Sequence, residues 1–203
     1  MPYPLIIFGY LLGSVPFGLL YGKLAGIDVR HQGSGNIGAT NVNRLLGKKL
    51  GALTLVSDIL KGLLPMLLAT WLLGDHPDSQ RWIIFTGGAA FLGHCFPLYL
   101  NFRGGKGVAT ALGVHLYLAP LPTLAAVALF ALTVRLSGYV SLGSLTAAAA
   151  LPLLILMGGG PLDLVLLSTL IGAVIWIKHH ENLARLLRGQ EKSWKKADAE
   201  KGR

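Results

Sequence analysis

The stretch Gly104-Gly105-Lys106-Gly107-Val108-Ala109-Thr110 sets three glycines and one lysine at the head of an apolar segment. Glycine lets backbone N–H groups come close to an oxyanion. Lys106 adds a point charge, and a helix starting after it aims its positive end at the same spot. This is chemistry for holding phosphate. It is not the P-loop of nucleotide hydrolases, which places Ser or Thr after the lysine where this chain has Gly107. Taken alone, the string reads first as a membrane-edge turn with its lysine among the headgroups, so its meaning depends on what accompanies it.

Three further polar clusters do accompany it. Gly33-Ser34-Gly35-Asn36-Ile37-Gly38-Ala39-Thr40-Asn41 offers backbone donors at its glycines and side-chain donors at Ser34, Asn36, Thr40 and Asn41, with Arg44 close behind. That set suits bidentate phosphate recognition. An ordinary capped loop uses the same residue types, but no acid follows the cluster until Asp58, which favours an anion site. Tyr139-Val140-Ser141-Leu142-Gly143-Ser144 adds two serine hydroxyls, and Lys178-His179-His180-Glu181-Asn182 ends an apolar run. A helix C-terminus stabilises imidazolium, so one of the two histidines could contact an anion or move a proton. Adjacent helical residues point roughly 100° apart, and position alone does not rank them. Glu181 can hold a neighbouring basic residue, and Asn182 can hydrogen-bond a hydroxyl. His94 and His115 sit in apolar segments and read as packing residues, as does the single Cys95.

What positions these clusters is a membrane domain. Of 203 residues, 53% are hydrophobic and 13% charged, a composition for solvation by lipid. No positive charge precedes the first apolar run, so that run is expected to stay in the membrane rather than leave as a signal peptide. Residues 5–24 form the first span, with Gly13, Ser14, Pro16 and Gly18 where a neighbour can approach. Residues 26–50 are too polar for hydrocarbon and read as a long loop or interfacial helix. The second span, 51–73, carries Asp58 and Lys61 on one helical face. Each costs about 2.5–3.5 kcal/mol at mid-bilayer, so they must pair or face a polar cavity. A structural ion pair and a polar pathway are equally open. After a polar 74–81 loop, 82–100 crosses back, and Gly158-Gly159-Gly160-Pro161 reverses the chain between spans 142–157 and 162–177.

The segment 108–134 decides the count. As one kinked helix it gives six spans; broken at Pro120 and Pro122 it gives seven. With seven, Lys23, Arg30, Arg44, Lys48, Lys49, Arg103, Lys106, Arg135 and all eight basic residues from Lys178 onward are cytoplasmic, leaving Arg81 outside. With six, Arg135 and the basic tail fall outside, against the positive-inside rule. The expected fold is therefore an all-α integral membrane protein of seven transmembrane helices, some short or kinked. Its N-terminus is outside and its C-terminus cytoplasmic. Residues 1–203 make a single polytopic domain, with 183–203 a charged cytoplasmic tail that is frayed or interfacial from 191. The net charge of +9 then reflects topology rather than nucleic-acid binding. All four polar clusters fall on the cytoplasmic face.

Several chemistries are missing. No Ser-His-acid set is legible, no His is followed five residues later by Asp, and no carboxylate cluster could hold Mg²⁺, so neither metal nor cofactor is expected.

The clusters 33–41, Phe102-Arg103-Gly104-Gly105-Lys106-Gly107-Val108-Ala109-Thr110 and His179-His180-Glu181-Asn182 closely resemble the three motifs of the bacterial membrane acyl-phosphate:glycerol-3-phosphate acyltransferases. The likeness spans nearly the whole chain. It implies transfer of a fatty acyl group from acyl phosphate to the 1-hydroxyl of glycerol 3-phosphate, giving lysophosphatidic acid and phosphate at the cytoplasmic face of the bacterial inner membrane. It assigns catalytic roles to Ser34, Arg44, Lys106, His179 and Asn182. Substrate contacts fall to Gly35, Asn36, Gly38, Thr40, Asn41, Gly104, Gly105, Gly107, Thr110 and Ser144, with Ser141 competing for the last place. The donor is an activated mixed anhydride, so positioning and oxyanion stabilisation matter more than a strong nucleophile. A soluble enzyme that makes acyl phosphate is a candidate partner at the basic face. The competing reading is a phosphate or organophosphate transporter with Asp58 and Lys61 on its pathway.

Overall fold

The computed structural model describes residues 2–194, and among these all regular structure is helical. They divide into two compact units on either side of the Leu118–Ala119 junction. The first holds α1 (Tyr3–Gly13), α2 (Phe17–Leu24), α3 (Ala39–Leu46), α4 (Lys48–Leu73), α5 (Ser79–Cys95), a 3₁₀ turn (Leu98–Leu100) and α6 (Val108–Leu118). The second holds α7 (Pro120–Ser137), α8 (Val140–Met157), α9 (Leu162–Lys178) and α10 (His180–Leu187).

In the first unit, Pro16 has no N–H to continue the helix, and the chain breaks between α1 and α2. The Val15 carbonyl at this break accepts the Lys61 ammonium instead, at 2.9 Å. α1 packs on α5 through Gly9 and Gly13, four residues apart. A Cβ on Gly9 would meet the Thr86 carbonyl at 2.7 Å, and one on Gly13 would strike the Ala90 backbone. Small residues permit this approach, which is how helices gain contact where no hydrophobic effect drives them together. Between α3 and α4 the chain turns at Gly47 with φ +87°, so α4 begins at Lys48, three residues before the second span expected from the sequence and inside the stretch read as a long loop or interfacial helix.

The second unit is built by α7 against α8 and α8 against α9. Gly138, in the left-handed region at φ +81°, turns α7 into α8, and the Trp176 indole of α9 donates to the Leu145 carbonyl of α8.

Large apolar side chains face outward in both units, among them Ile7, Val56, Leu67, Trp71, Leu121, Leu153 and Leu166. In water such a surface would associate; in hydrocarbon it is solvated, while helices satisfy their own backbone groups. Five helical segments are long and apolar enough to cross a membrane: Tyr3–Leu24, Lys48–Leu73, Ser79–Leu100, Pro120–Ser137 and Val140–Met157. Leu162–Lys178 and His180–Leu187, bent by 60°, pass the same test together and add a sixth if the bent pair is one span, and Val108–Leu118 is a shorter apolar helix. The protein is a multi-pass membrane protein. The chain does break between α6 and α7, at Ala119, where the prolines place it.

Residues 180–187 are helical. Of the stretch that the sequence reads as frayed or interfacial from 191, only 191–194 are described, and there Glu191 is tied to three side chains. Residues from 195 onward lie outside the described chain.

Candidate active site

In the first unit an apolar cluster of Leu19, Val29, Ile37 and Val42 anchors the 33–41 loop, and Leu100, just before the glycine-lysine turn, packs against it. Both polar loops therefore hang from one plug. The 33–41 loop is organised by Asn41, which is 2% exposed. Its Oδ1 accepts the Ser34 N–H at 2.8 Å, and its Nδ2 donates to the carbonyls of Val29 (3.0 Å), Gln32 (3.2 Å) and Asn36 (2.9 Å). Asn36 Oδ1 in turn accepts the Gly38 N–H at 2.8 Å. Asn41 and Asn36 thus spend these groups on framing the loop, a role the sequence reads as ligand binding. Ser34, Gly35 and Thr40 are exposed, and Gly38 and Arg44 are half-buried. Gly33 and Gly35 take φ of +65° and +70°, the left-handed region that favours glycine. Nearby, Arg30 clasps Asp28 with Nε at 2.9 Å and Nη2 at 2.6 Å. The Arg30 side-chain hydrogen bond holds the Asp28 carboxyl well below its usual range.

The glycine-lysine turn sits on the C-terminal end of α5. Gly105 N–H donates to the His94 carbonyl at 3.1 Å, and Gly107 takes φ +80° with Phe91 and Cys95 where a Cβ would point. Lys106 is half-buried between two buried glycines, Gly105 and Gly107, while Gly104 is half-buried. The first N–H groups of α6 have no partner within their own helix and open toward this turn, the arrangement of an anion seat. Thr110 lies deeper. It is fully buried against Gly62, and its hydroxyl has no hydrogen-bond partner among the described residues.

In the second unit, His179 is 3% exposed at the bend between α9 and α10, and its Nδ1 lies 2.8 Å from the Ile175 carbonyl. A carbonyl only accepts, so Nδ1 carries the proton and the neutral ring keeps its lone pair on Nε2. His180 makes a similar bond to Ile177 but is exposed; the fold separates two histidines that position alone does not rank. His115 is buried with Nδ1 on the Ala111 carbonyl, in keeping with a packing role. Asn182 Nδ2 donates to Glu191 Oε1 at 2.6 Å, which makes its Oδ1 the atom that could accept from a hydroxyl. Ser141 donates to the same carboxylate at 2.8 Å and Arg185 Nε at 2.7 Å. Ser144 instead bonds the Val140 carbonyl of its own helix. Glu181 lies 3.8 Å from Arg185, the basic neighbour expected for it.

Glu191 is the residue the sequence hides, because one acid in a basic tail reads as solvated. Burial opposes its ionisation, but hydrogen bonds from Arg185, Asn182 and Ser141 outweigh that and hold its carboxyl below the usual value. A lowered folded pKa stabilises above the ordinary carboxylate value of about 4.5 and loses that contribution only as pH falls through the lower folded value. The latch is therefore expected to hold at pH 5 and above. Glu191→Ala strands the amide and hydroxyl it serves, at about 1–3 kcal/mol each. We expect a lower melting midpoint in detergent and reduced turnover, both partly restored by Glu191→Gln; an unchanged midpoint would deny the latch.

Among the described residues no three His, Cys, Asp or Glu side chains converge as a metal site.

Comparison with known proteins bears on the chain as a whole. A family model described as glycerol-3-phosphate acyltransferase matches residues 3–189. A glycerol-3-phosphate acyltransferase of Trichlorobacter lovleyi is 56% identical over 92% of this chain and 94% of its own length. One of Desulfotalea psychrophila is 53% identical over 96% and 98%. A crystal structure of PlsY (YgiH), an integral membrane glycerol 3-phosphate acyltransferase in its glycerol 3-phosphate form, superposes with a TM-score of 0.87 at 44% identity, covering 94% of each chain. The same protein in its lysophosphatidic acid form gives 0.84 at 43% identity over 93% of each chain.

Proposed function

Because the chain belongs to the glycerol-3-phosphate acyltransferase family, we propose that it moves a fatty acyl group from acyl phosphate to the 1-hydroxyl of glycerol 3-phosphate. The protein is an acyltransferase and not the transporter that the sequence also allows. The reading of its substrate and product rests most on the likeness, over 94% of the chain, to a protein crystallised in a glycerol 3-phosphate form. Donor, regiochemistry and residue roles are the proposal.

In the proposed reaction the glycerol 3-phosphate hydroxyl oxygen attacks the acyl carbon. The bond from that carbon to the phosphate oxygen breaks, and inorganic phosphate leaves with the bonding pair. The glycine-rich turns with Lys106 and Ser34 hold the donor phosphate, each charged hydrogen bond contributing about 1.5–3 kcal/mol. Arg44, His179 and Asn182 orient glycerol 3-phosphate. The hydroxyl proton goes either to His179 Nε2 or to a phosphate oxygen of the substrates. Transfer is direct, with no acyl-Ser34 intermediate, since among the described residues no base is paired with Ser34. The grouping of these residues in one reaction rests on the order of the motifs along the chain and on family membership. Neither metal nor cofactor takes part. The experiment is to supply one acyl chain either as acyl phosphate or as a thioester: lysophosphatidic acid from the first alone supports the donor, and equal yield from the thioester would overturn it.

The proposal extends to topology. Seven spans form one polytopic domain in the bacterial inner membrane, with the N-terminus outside, the site on the cytoplasmic face, and that face open to a soluble acyl-phosphate-producing enzyme. Single cysteines replacing His76 and Gly159 in a Cys95→Ser background should react with an impermeant maleimide from outside intact cells, whereas one replacing Lys192 should not. The reverse pattern would invert the topology.

A further inference from the structure

Behind the 104–107 turn lies a buried charged cluster that the reaction scheme does not use. Asp58 and Lys61 of α4 are each 2% exposed, with Lys61 Nζ 2.9 Å from Asp58 Oδ1. The ammonium also donates to the Val15 carbonyl and lies 5.8 Å from the Phe17 ring centre. His94, at the end of α5 and 4% exposed, places Nδ1 3.7 Å from the same Asp58 oxygen. Its other side faces the turn. The His94 carbonyl accepts the Gly105 N–H at 3.1 Å. The imidazole lies so close to Gly105 that a Cβ there would strike Nε2, and a Cβ on Gly104 would strike the His94 carbonyl. One residue therefore grips the turn through backbone and ring, while a carboxylate stands behind that ring.

Stability alone is a poor reason for this cluster. Buried ion pairs are often matched or bettered by apolar residues of similar volume. Lys61 already balances Asp58, so His94 is not needed to neutralise it. What the ring adds is a fixed wall against which Gly105 rests, with Lys106 as the next residue. A phosphate seat made of backbone N–H groups works only if those groups stay aimed, because misplacement of about 1 Å can cost 100-fold.

We propose that His94, oriented by the Asp58–Lys61 pair, is a positioning residue for the glycine-lysine turn, setting how tightly that turn holds a phosphate. The inference rests on the reading of the turn as a phosphate seat. Asp58 and Lys61 are then neither a transport pathway nor a free-standing ion pair but the rear support of the site.

The test measures KM for both substrates, kcat, and inhibition by inorganic phosphate in purified, folded variants. His94→Ala should raise the KM of a phosphate-bearing substrate and weaken phosphate inhibition by about 10- to 100-fold, with a much smaller change in kcat. His94→Gln, which can place an amide near the Nε2 position, should recover most of the loss. Asp58→Asn with Lys61→Met removes both charges together, so that neither is buried alone. It should raise the same KM and add nothing in the His94→Ala background. Unchanged KM and phosphate inhibition in folded His94→Ala, or effects of the two sites that multiply, would overturn the proposal. If His94→Ala does not fold, His94→Gln and the pair variant decide it: KM raised in the pair variant and near normal in His94→Gln supports the proposal, and unchanged KM in both overturns it. Lys106→Ala separates the two readings. Phosphate inhibition insensitive to Lys106 removes the phosphate seat itself, whereas inhibition sensitive to Lys106 but not to His94 removes only the positioning role.

Discussion

Lys106→Ala should lower kcat/KM for acyl transfer by about 10²- to 10³-fold, the usual effect of deleting one preorganised donor to a developing or leaving anion. Lys106 is held between two buried glycines, on a turn tied to α5 through the Gly105–His94 hydrogen bond. A flexible surface lysine would lose far less. The leaving group is a phosphate, whose negative charge grows as the carbon–oxygen bond breaks, and a fixed ammonium stabilises that change more than it stabilises the bound donor. The loss should therefore fall on kcat as well as on KM. Steady-state rates of lysophosphatidic acid formation, at several concentrations of each substrate, check this; a drop below tenfold would place the phosphate elsewhere.

His179→Gln should lower turnover by about 10²- to 10⁴-fold if the imidazole takes the hydroxyl proton, the range typical of a general base. The geometry gives the ring the form a base needs. Nδ1 is committed to the Ile175 carbonyl at 2.8 Å, so in the neutral ring the lone pair lies on Nε2. Near-normal turnover of His179→Gln across the full pH profile would transfer the proton acceptor to a phosphate oxygen of the substrates.

Much of this was legible before any coordinates because lipid simplifies the code. Long apolar runs read as helices, charge bias favours a break at Pro120 and Pro122, and Gly158–Gly160 fall where the chain turns. The clusters 33–41, 104–110 and 178–182 stood out as polar islands in an apolar chain. What stayed hidden depends on contacts between residues distant in sequence. Asn41 reads as a ligand in a glycine-rich run until its amide is seen holding three carbonyls. His94 reads as packing until Asp58, 36 residues earlier, is found beside it. Glu191 reads as tail until Gly189, at φ +68°, has turned the chain back toward Asn182. No local periodicity encodes any of these three.

The most direct test of the central claim is phosphate release by the purified protein, in lipid and with a chelator present, given acyl phosphate and glycerol 3-phosphate singly and together. The account predicts release only with both substrates, one phosphate for each lysophosphatidic acid formed and no need for metal. Equal release from acyl phosphate alone, or none from the pair in verified folded protein, would contradict it.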